Sequence, residues 1–393
     1  MVRWIFVGTL FALCLVRYIY AVQTQVQVNI GDQVAVTGVI WNGKIRLENR
    51  SFVILDKLVD LSDGDEVTVV GRITDQVTEK YGISIYLEEA QIRNNHTPIF
   101  FRLRVFLEQK IINYLPGDAG GLASGILLGG NKLLAYNTKR DFTRDGLSHI
   151  IAASGYNVVM VSGWLARIGK KLKHQRLMIL LGVLGTILYM LLAGLTASVI
   201  RAGIMSIISF TALVYGRKSD AIWSLIMTAV IMILWNPWYI ADIGFQLSFA
   251  ATAGVLASTS SSNPPPKLGG GRKGVVLNEL SLIMMVQLFT IPLILHHFGQ
   301  LSLVAPVANL LVVWTVPFIM QLTALGLIFG PILYLAWPLI AYMLYVSSWL
   351  SRLSWASLTV GQMSWGWVAI WYLVLAIVYN RYYAKRSITP DYR

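Results

Sequence analysis

The chain has 393 residues, of which 56% are hydrophobic and only 13% charged, about half the charged share of an ordinary soluble domain. That balance excludes a soluble globular protein and points to an integral membrane protein. Lys and Arg number 32 against 19 Asp and Glu, a formal charge of +13; on a membrane protein the first home of such an excess is the cytoplasmic loops, ahead of any nucleic-acid surface. A single cysteine, Cys14, leaves no route to an intrachain disulfide or a thiolate metal site.

Residues 1–21 resemble a signal peptide, yet Arg17 interrupts the apolar stretch and no clear small-residue cleavage site follows, so a retained transmembrane anchor is expected. From residue 22 to 97 the pattern changes to short alternating segments at 26–30, 33–40, 44–47, 52–55, 66–73 and 83–87. They are separated by turn signals at Asn29-Ile30-Gly31-Asp32, Asn42-Gly43 and Ser62-Asp63-Gly64-Asp65. This predicts a small OB-like β-barrel. Trp41, Tyr81 and Tyr86 are of a type that stacks bases in such barrels. However, residues 22–97 hold seven Lys or Arg against eleven Asp or Glu, a net of −4 that repels phosphate, and the aromatics fit core or rim packing as well.

Residues 98–115 place Ile99, Phe100, Leu103, Phe106, Leu107 and Ile111 on one helical face, expected to lie along the bilayer surface. The glycine-rich 119–130 is too short to cross alone and reads as re-entrant or deeply packed. Nine further spans follow at about 146–168, 176–194, 196–216, 220–236, 238–258, 276–298, 303–328, 331–351 and 366–383, ten crossings with the anchor. The basic clusters at Arg167/Lys170/Lys171/Lys173/Arg176, Arg217/Lys218, Lys267/Arg272/Lys273 and Arg381/Lys385/Arg386 then share one side, the cytoplasm, with both termini. The barrel therefore lies outside the cytoplasm, 258–274 is a flexible internal linker with its Pro-Pro-Pro and Gly-Gly-Gly runs, and 384–393 is a cytoplasmic tail. The chain divides into an anchor (1–21), the barrel (22–97), an amphipathic and re-entrant portion (98–145) and a polytopic domain (146–383).

Within the membrane-length segment from residue 146, His149, Ala153 and Asn157 recur every fourth residue, with Ser154 and Gly155 beside them. An unpaired polar group in hydrocarbon costs roughly several kcal/mol, so these side chains face protein or a wet passage. They either tie helices together or line a hydrated path. Arg201 sits some five residues inside its span. It calls for a counter-charge, a helix end, a polyanion or escape to the outer surface; Asp242, with Gln246 one turn on and Ser248 on an adjacent face, is a candidate partner. Asn309, between Pro306 and Pro317, marks an irregular helix with freed backbone groups. His296-His297, at the outer end of a span, reads as an interfacial pair. Lys132, Lys139, Arg140 and Arg144 form a basic stretch at the entrance to the polar span, either a solvated face or a collector of polyanion.

Enzyme signatures are missing. The stretch 125–132 has Asn131 where a phosphate loop needs lysine, no His-Glu-x-x-His occurs, and five scattered histidines do not build a binuclear hydrolase motif. No catalytic residue, metal or cofactor is assigned.

The blocks Ala-Gly-Gly-Leu-Ala-Ser-Gly-Ile-Leu-Leu-Gly-Gly at 119–130, Gly-Leu-Ser-His-Ile-Ile-Ala-Ala-Ser-Gly-Tyr-Asn-Val at 146–158, Arg201-Ala-Gly-Ile-Met, Gly-Phe-Gln-Leu-Ser-Phe at 244–249 and Pro306 to Pro317 follow one another in the order of a known family. Through them, over about residues 98–330, the chain resembles the ComEC-type competence family, the inner-membrane channel for DNA uptake. Two departures stand out. Asn157 occupies a position where members usually carry histidine, and the metallo-β-lactamase-like nuclease domain of long members does not appear in this sequence. The resemblance implies a competence-type channel domain at 146–383 for single-stranded DNA; the polar residues His149, Ser154, Asn157, Arg201, Asp242, Gln246, Ser248 and Asn309 are the candidates to line it, and Lys132, Lys139, Arg140 and Arg144 to bind DNA at the entrance. Implied partners are the lipid bilayer, an extracytoplasmic DNA receptor, a cytoplasmic helicase-type ATPase that pulls and, if the other strand is degraded, a separate nuclease. A secondary transporter of another anionic or amphiphilic solute remains an alternative, as does a membrane-embedded hydrolase using His149 and Ser154.

Overall fold

A computed structural model describes residues 2–23, 32–41, 44–46, 52–55, 66–79, 82–96, 99–152, 154–171, 175–216, 220–259 and 272–386. The expected strand at 26–30, most of the linker at 258–274, Tyr81 and several of the loop cations fall outside the described residues, as does the side chain of Trp41. Two compact units are present, one of residues 1–107 with 229–242, the other of residues 108–228 with 243–393.

In the first unit, helix α1 (Val2–Gln23) is followed by five strands, β1 (Gln33–Trp41), β2 (Lys44–Arg46), β3 (Phe52–Leu55), β4 (Glu66–Glu79) and β5 (Gly82–His96). They close into a barrel of order β1-β2-β3-β5-β4, with β1 antiparallel to both β2 and β4 and β3 parallel to β5. Period-two alternation explains the closure: Val67, Val69 and Ile73 point inward and meet Ile40, Ile45, Val53 and Leu87, while Thr68 and Arg72 point away. Register shifts between β4 and β5 bend the long pair around this core. Tyr86 is half-buried. Near α1, a 3₁₀ turn (Pro237–Ala241) is capped by Asn236, whose side chain accepts from the Trp238 amide, and Trp238 meets the Tyr18 ring edge-on.

Helix α2 (Ile99–Tyr114) leaves Ile99, Leu103 and Phe106 exposed at i, i+4 and i+7 and buries Ile111. The second unit continues with α3 (Asp118–Leu128), α4 (Tyr136–Arg144), α5 (Ser148–Ile151), α6 (Gly155–Lys171), α7 (Gln175–Ala193), α8 (Ala197–Val214), the first half of α9 (Ala221–Trp235), α10 (Ile243–Thr259) and α11 (Arg272–Phe298). Then come β6 (Gln300–Ser302), α12 (Ala305–Val312), a 3₁₀ turn (Val313–Thr315), α13 (Val316–Ile328), a second 3₁₀ turn (Gly330–Ile332), α14 (Leu333–Ser351), β7 (Ser357–Thr359) and α15 (Trp365–Arg386). β6 and β7 pair antiparallel.

Among the described residues, five helical stretches are long and apolar enough to cross a bilayer: Gln175–Ala193, Ala197–Val214, Leu280–Phe298, Ala305–Ile328 and Gly330–Ser351. Shorter apolar helices occupy Gly8–Tyr20, Asp118–Leu128, Ala221–Trp235, Ile243–Ser258 and Trp365–Val378. This is the build of a polytopic helical membrane protein. The structure differs from the expected single span at 146–168. The apolar run breaks after α5, where Ala152 is extended (ψ 141°), and resumes at Gly155. The irregular helix expected around Asn309 takes the form of α12 and α13 joined through a 3₁₀ turn, with Pro306 and Pro317 in their first turns.

Candidate functional site

Helix α3 is the keel of the site. Every residue from Gly120 to Leu128 is buried, and α5, α7, α13 and α14 pack around it. Its glycines let backbones touch: a Cβ on Gly121 would lie 2.6 Å from the Leu133 carbonyl oxygen, and one on Gly125 2.8 Å from that of Gly130. A helix that ends inside protein must satisfy its last carbonyls. Asn157 Nδ2 donates to the Ile126 oxygen at 2.7 Å, and the Tyr189 hydroxyl donates to the Leu127 oxygen at 2.9 Å. Ser154 Oγ in turn donates to Asn157 Oδ1 at 3.0 Å. Asn157 is therefore 1% exposed with both ends of its amide engaged.

Beside this cap lies Arg201, in the second turn of α8. Its guanidinium rests on Gly155, where a Cβ would lie 2.7 Å from Nη2. Nη1 donates to Thr252 Oγ1 on α10 and approaches Met205 Sδ, while Nε is buried without a partner. Thr252 passes the chain on by donating to the Ser248 carbonyl at 2.8 Å. Three elements, α6, α8 and α10, thus meet at one cation.

Gln246, also on α10, accepts at 2.6 Å from His297 Nε2. His297 and His296, at the end of their span, are both buried within the protein; His296 Nδ1 donates to the Met363 carbonyl and its ring lies 4.1 Å, centroid to centroid, from that of Trp365, tilted by 42°. Asp242 closes the 3₁₀ turn of the first unit, its amide donating to the Tyr239 carbonyl. Asn309 Nδ2 donates back to the Ala305 carbonyl at 2.9 Å, which leaves Oδ1 buried and unpartnered.

The basic stretch is organised by α4. Asp118 caps it twice, accepting from the Ala135 amide at 2.8 Å and the Thr138 hydroxyl at 2.6 Å. Phe142 is buried, and Asp145 accepts from Ser347 Oγ at 2.7 Å. Thr138, Phe142 and Asp145, at i, i+4 and i+7, therefore clamp one face. The opposite face carries Tyr136, Arg140 and Thr143, all exposed. Lys132 is exposed and Lys139 half-buried; Arg140 lies 3.5 Å from Asp141, and Arg144 donates to the Leu353 carbonyl. Through a 3.1 Å contact between the Thr143 and Ser148 hydroxyls this face continues to His149, exposed, with Nδ1 against the Gly146 carbonyl.

Ser154 and Asn157 are joined directly, Arg201 reaches the backbone of Ser248 through Thr252, and Arg140 is continuous with His149. Gln246 turns to His297. Three residues of this network escaped sequence reasoning: Tyr189 and Thr252, ordinary side chains in apolar spans, and Tyr136, whose signal was its position one turn before Arg140.

A family model described as Competence, competence protein, matches residues 126–384, a range holding Arg201, Asn157, Asn309 and most of α4 to α15. Among curated proteins the chain is similar to ComE operon protein 3 of Bacillus subtilis (strain 168), 26% identical over 230 residues that make up 56% of this chain and 28% of that protein. It is also similar to Competence protein ComA of Neisseria gonorrhoeae, 27% identical over 263 residues, 62% of this chain and 36% of that protein. The matched region thus spans about a third of the length of these relatives. No solved structure matches it. With more than half of its 393 residues under one family model, the chain belongs to the ComEC-type competence protein family.

Proposed function

We propose that the protein conducts single-stranded DNA across the cytoplasmic membrane during natural transformation. The observation that carries this reading beyond family membership is Arg201, a cation in the interior of an apolar helix whose Nε has no partner and whose contacts are a hydroxyl and a thioether. Insertion of such a charge costs about 2.5–3.5 kcal/mol, and a passing phosphate is the anion that offsets it. Neutral groups, the Thr252–Ser248 pair beside it and, elsewhere along the proposed path, Gln246 and Asn309 with its free Oδ1, would supply the weak, many-point attraction that conduction needs; a dense cationic lining would hold its cargo. His149 and the basic α4 stand at the mouth. Asn157, spent on Ile126 and Ser154, is assigned to holding α3 at the edge of the path.

In this reading the closed barrel is an OB-like domain outside the cytoplasm, both termini are cytoplasmic, and the chain performs no catalysis. A DNA receptor delivers the strand and a helicase-type ATPase pulls it. The test is uptake of labelled DNA by cells expressing Arg201→Gln at equal membrane abundance. A drop of at least about ten-fold is expected, the magnitude of one buried charge-assisted contact; unchanged uptake overturns the reading.

A further inference from the structure

Exposed aromatic rings on membrane proteins usually sit in belts at the ends of apolar spans, among lipid-facing neighbours. Tyr136 is different. Its side chain is 78% exposed, yet it starts a polar helix, Tyr-Asn-Thr-Lys-Arg-Asp-Phe-Thr-Arg, whose single buried residue is Phe142. Nothing about α4 draws it into hydrocarbon: Asp118 caps its start, Phe142 and the Asp145–Ser347 hydrogen bond fix its inner face, and Asn137 and Arg140 flank the ring on the outer one. Residues four apart on a helix lie side by side, about 6 Å between Cβ atoms. Arg140, 54% exposed and 3.5 Å from Asp141, therefore rises from the same face as the ring, one turn on.

An exposed ring beside a cation matches the alternation of a single nucleic-acid strand, whose bases offer flat faces and whose backbone offers phosphates. We infer that Tyr136 is a stacking platform for one base of the incoming strand, with Arg140 taking an adjoining phosphate, so that α4 grips the strand before it reaches His149 and the Arg201 region. This deepens the conduction reading and rests on it. Stacking on a ring tolerates every base, which suits a channel that must pass any sequence. The inner-face clamps give the grip its stiffness: α4 does not have to be ordered when the strand arrives, so little of the contact energy is lost to ordering.

The test uses the intact protein in lipid nanodiscs, with a labelled poly-dT strand and an abasic strand of equal length, which keeps the phosphates and lacks the bases. Tyr136→Ala is expected to weaken poly-dT binding by about five-fold or more and to leave the abasic strand unaffected, with Tyr136→Phe restoring the wild-type affinity. Arg140→Gln is expected to weaken both strands alike. Should Tyr136→Ala leave poly-dT binding unchanged, or weaken both strands equally, the stacking assignment falls; if Arg140→Gln still weakens both, the conduction reading survives that failure. Wild-type protein that binds neither strand at low salt overturns both.

Discussion

Asp145 is fully buried at the end of α4, just outside the apolar spans; Oδ2 takes the Ser347 hydroxyl and Oδ1 takes nothing. Burial pushes its carboxyl up from 3.8 to about 6, against the Ser347 hydrogen bond that lowers it, while Asp141 raises it and Arg144 lowers it. The folded state thus binds this proton more tightly than the unfolded chain does. Its contribution to stability is complete below pH ~4 and is lost as pH rises through about 6. Over that window the loss amounts to about 2–3 kcal/mol. Asp145→Asn removes the charge and keeps an acceptor for Ser347, so its melting temperature in detergent should vary less between acid and neutral pH than that of the wild type. Equal pH profiles would show that the junction of α4 and α14 does not feel this proton.

At the scale of elements, α3 stands or falls by its buried carboxyl-terminal end. Asn157→Ala bares the Ile126 carbonyl and Tyr189→Phe bares that of Leu127, and each orphaned acceptor costs about 1–3 kcal/mol. Both variants should melt earlier than wild type; an Asn157→Ala protein that loses uptake at unchanged stability would instead put this amide in the path of the strand. The same helix shows what a one-dimensional pattern conveys. Glycines at 120, 121 and 125 announce close backbone approach, because no other residue permits it. Which side chains then cap the helix is invisible, since Tyr189 lies over sixty residues away in an unremarkable apolar span. The break at Ala152 is equally silent: an apolar run reads the same whether one helix crosses it or two meet in it. In the barrel, alternation at Val67, Val69 and Ile73 identifies an inward face, but the parallel pairing of β3 with β5 depends on chain closure that no local signal encodes.

At the scale of the whole molecule, the charge of +13 invites the idea of general DNA binding. If every excess cation met a phosphate, the logarithm of the affinity for a single strand would fall with the logarithm of salt at a slope of about −9, taking roughly 0.7 per contact. The proposed path engages far fewer. Its cations are Lys132, Lys139, Arg140, Arg144 and Arg201, and of these Arg140 is beside Asp141 and Arg144 is bonded to Leu353. Most of the remaining excess lies in the clusters at 167–176, 217–218, 267–273 and 381–386, many of them at helix ends, whose work, in this reading, is orientation, while the barrel region is net acidic. A slope between about −2 and −4 is therefore expected for the intact protein in a neutral bilayer. Titrating a labelled strand across a salt series measures it directly. A slope close to −9 would mean that the strand lies over the whole basic surface, and a slope near zero would remove phosphate from the interaction, taking Arg201 and the α4 cations out of the path together.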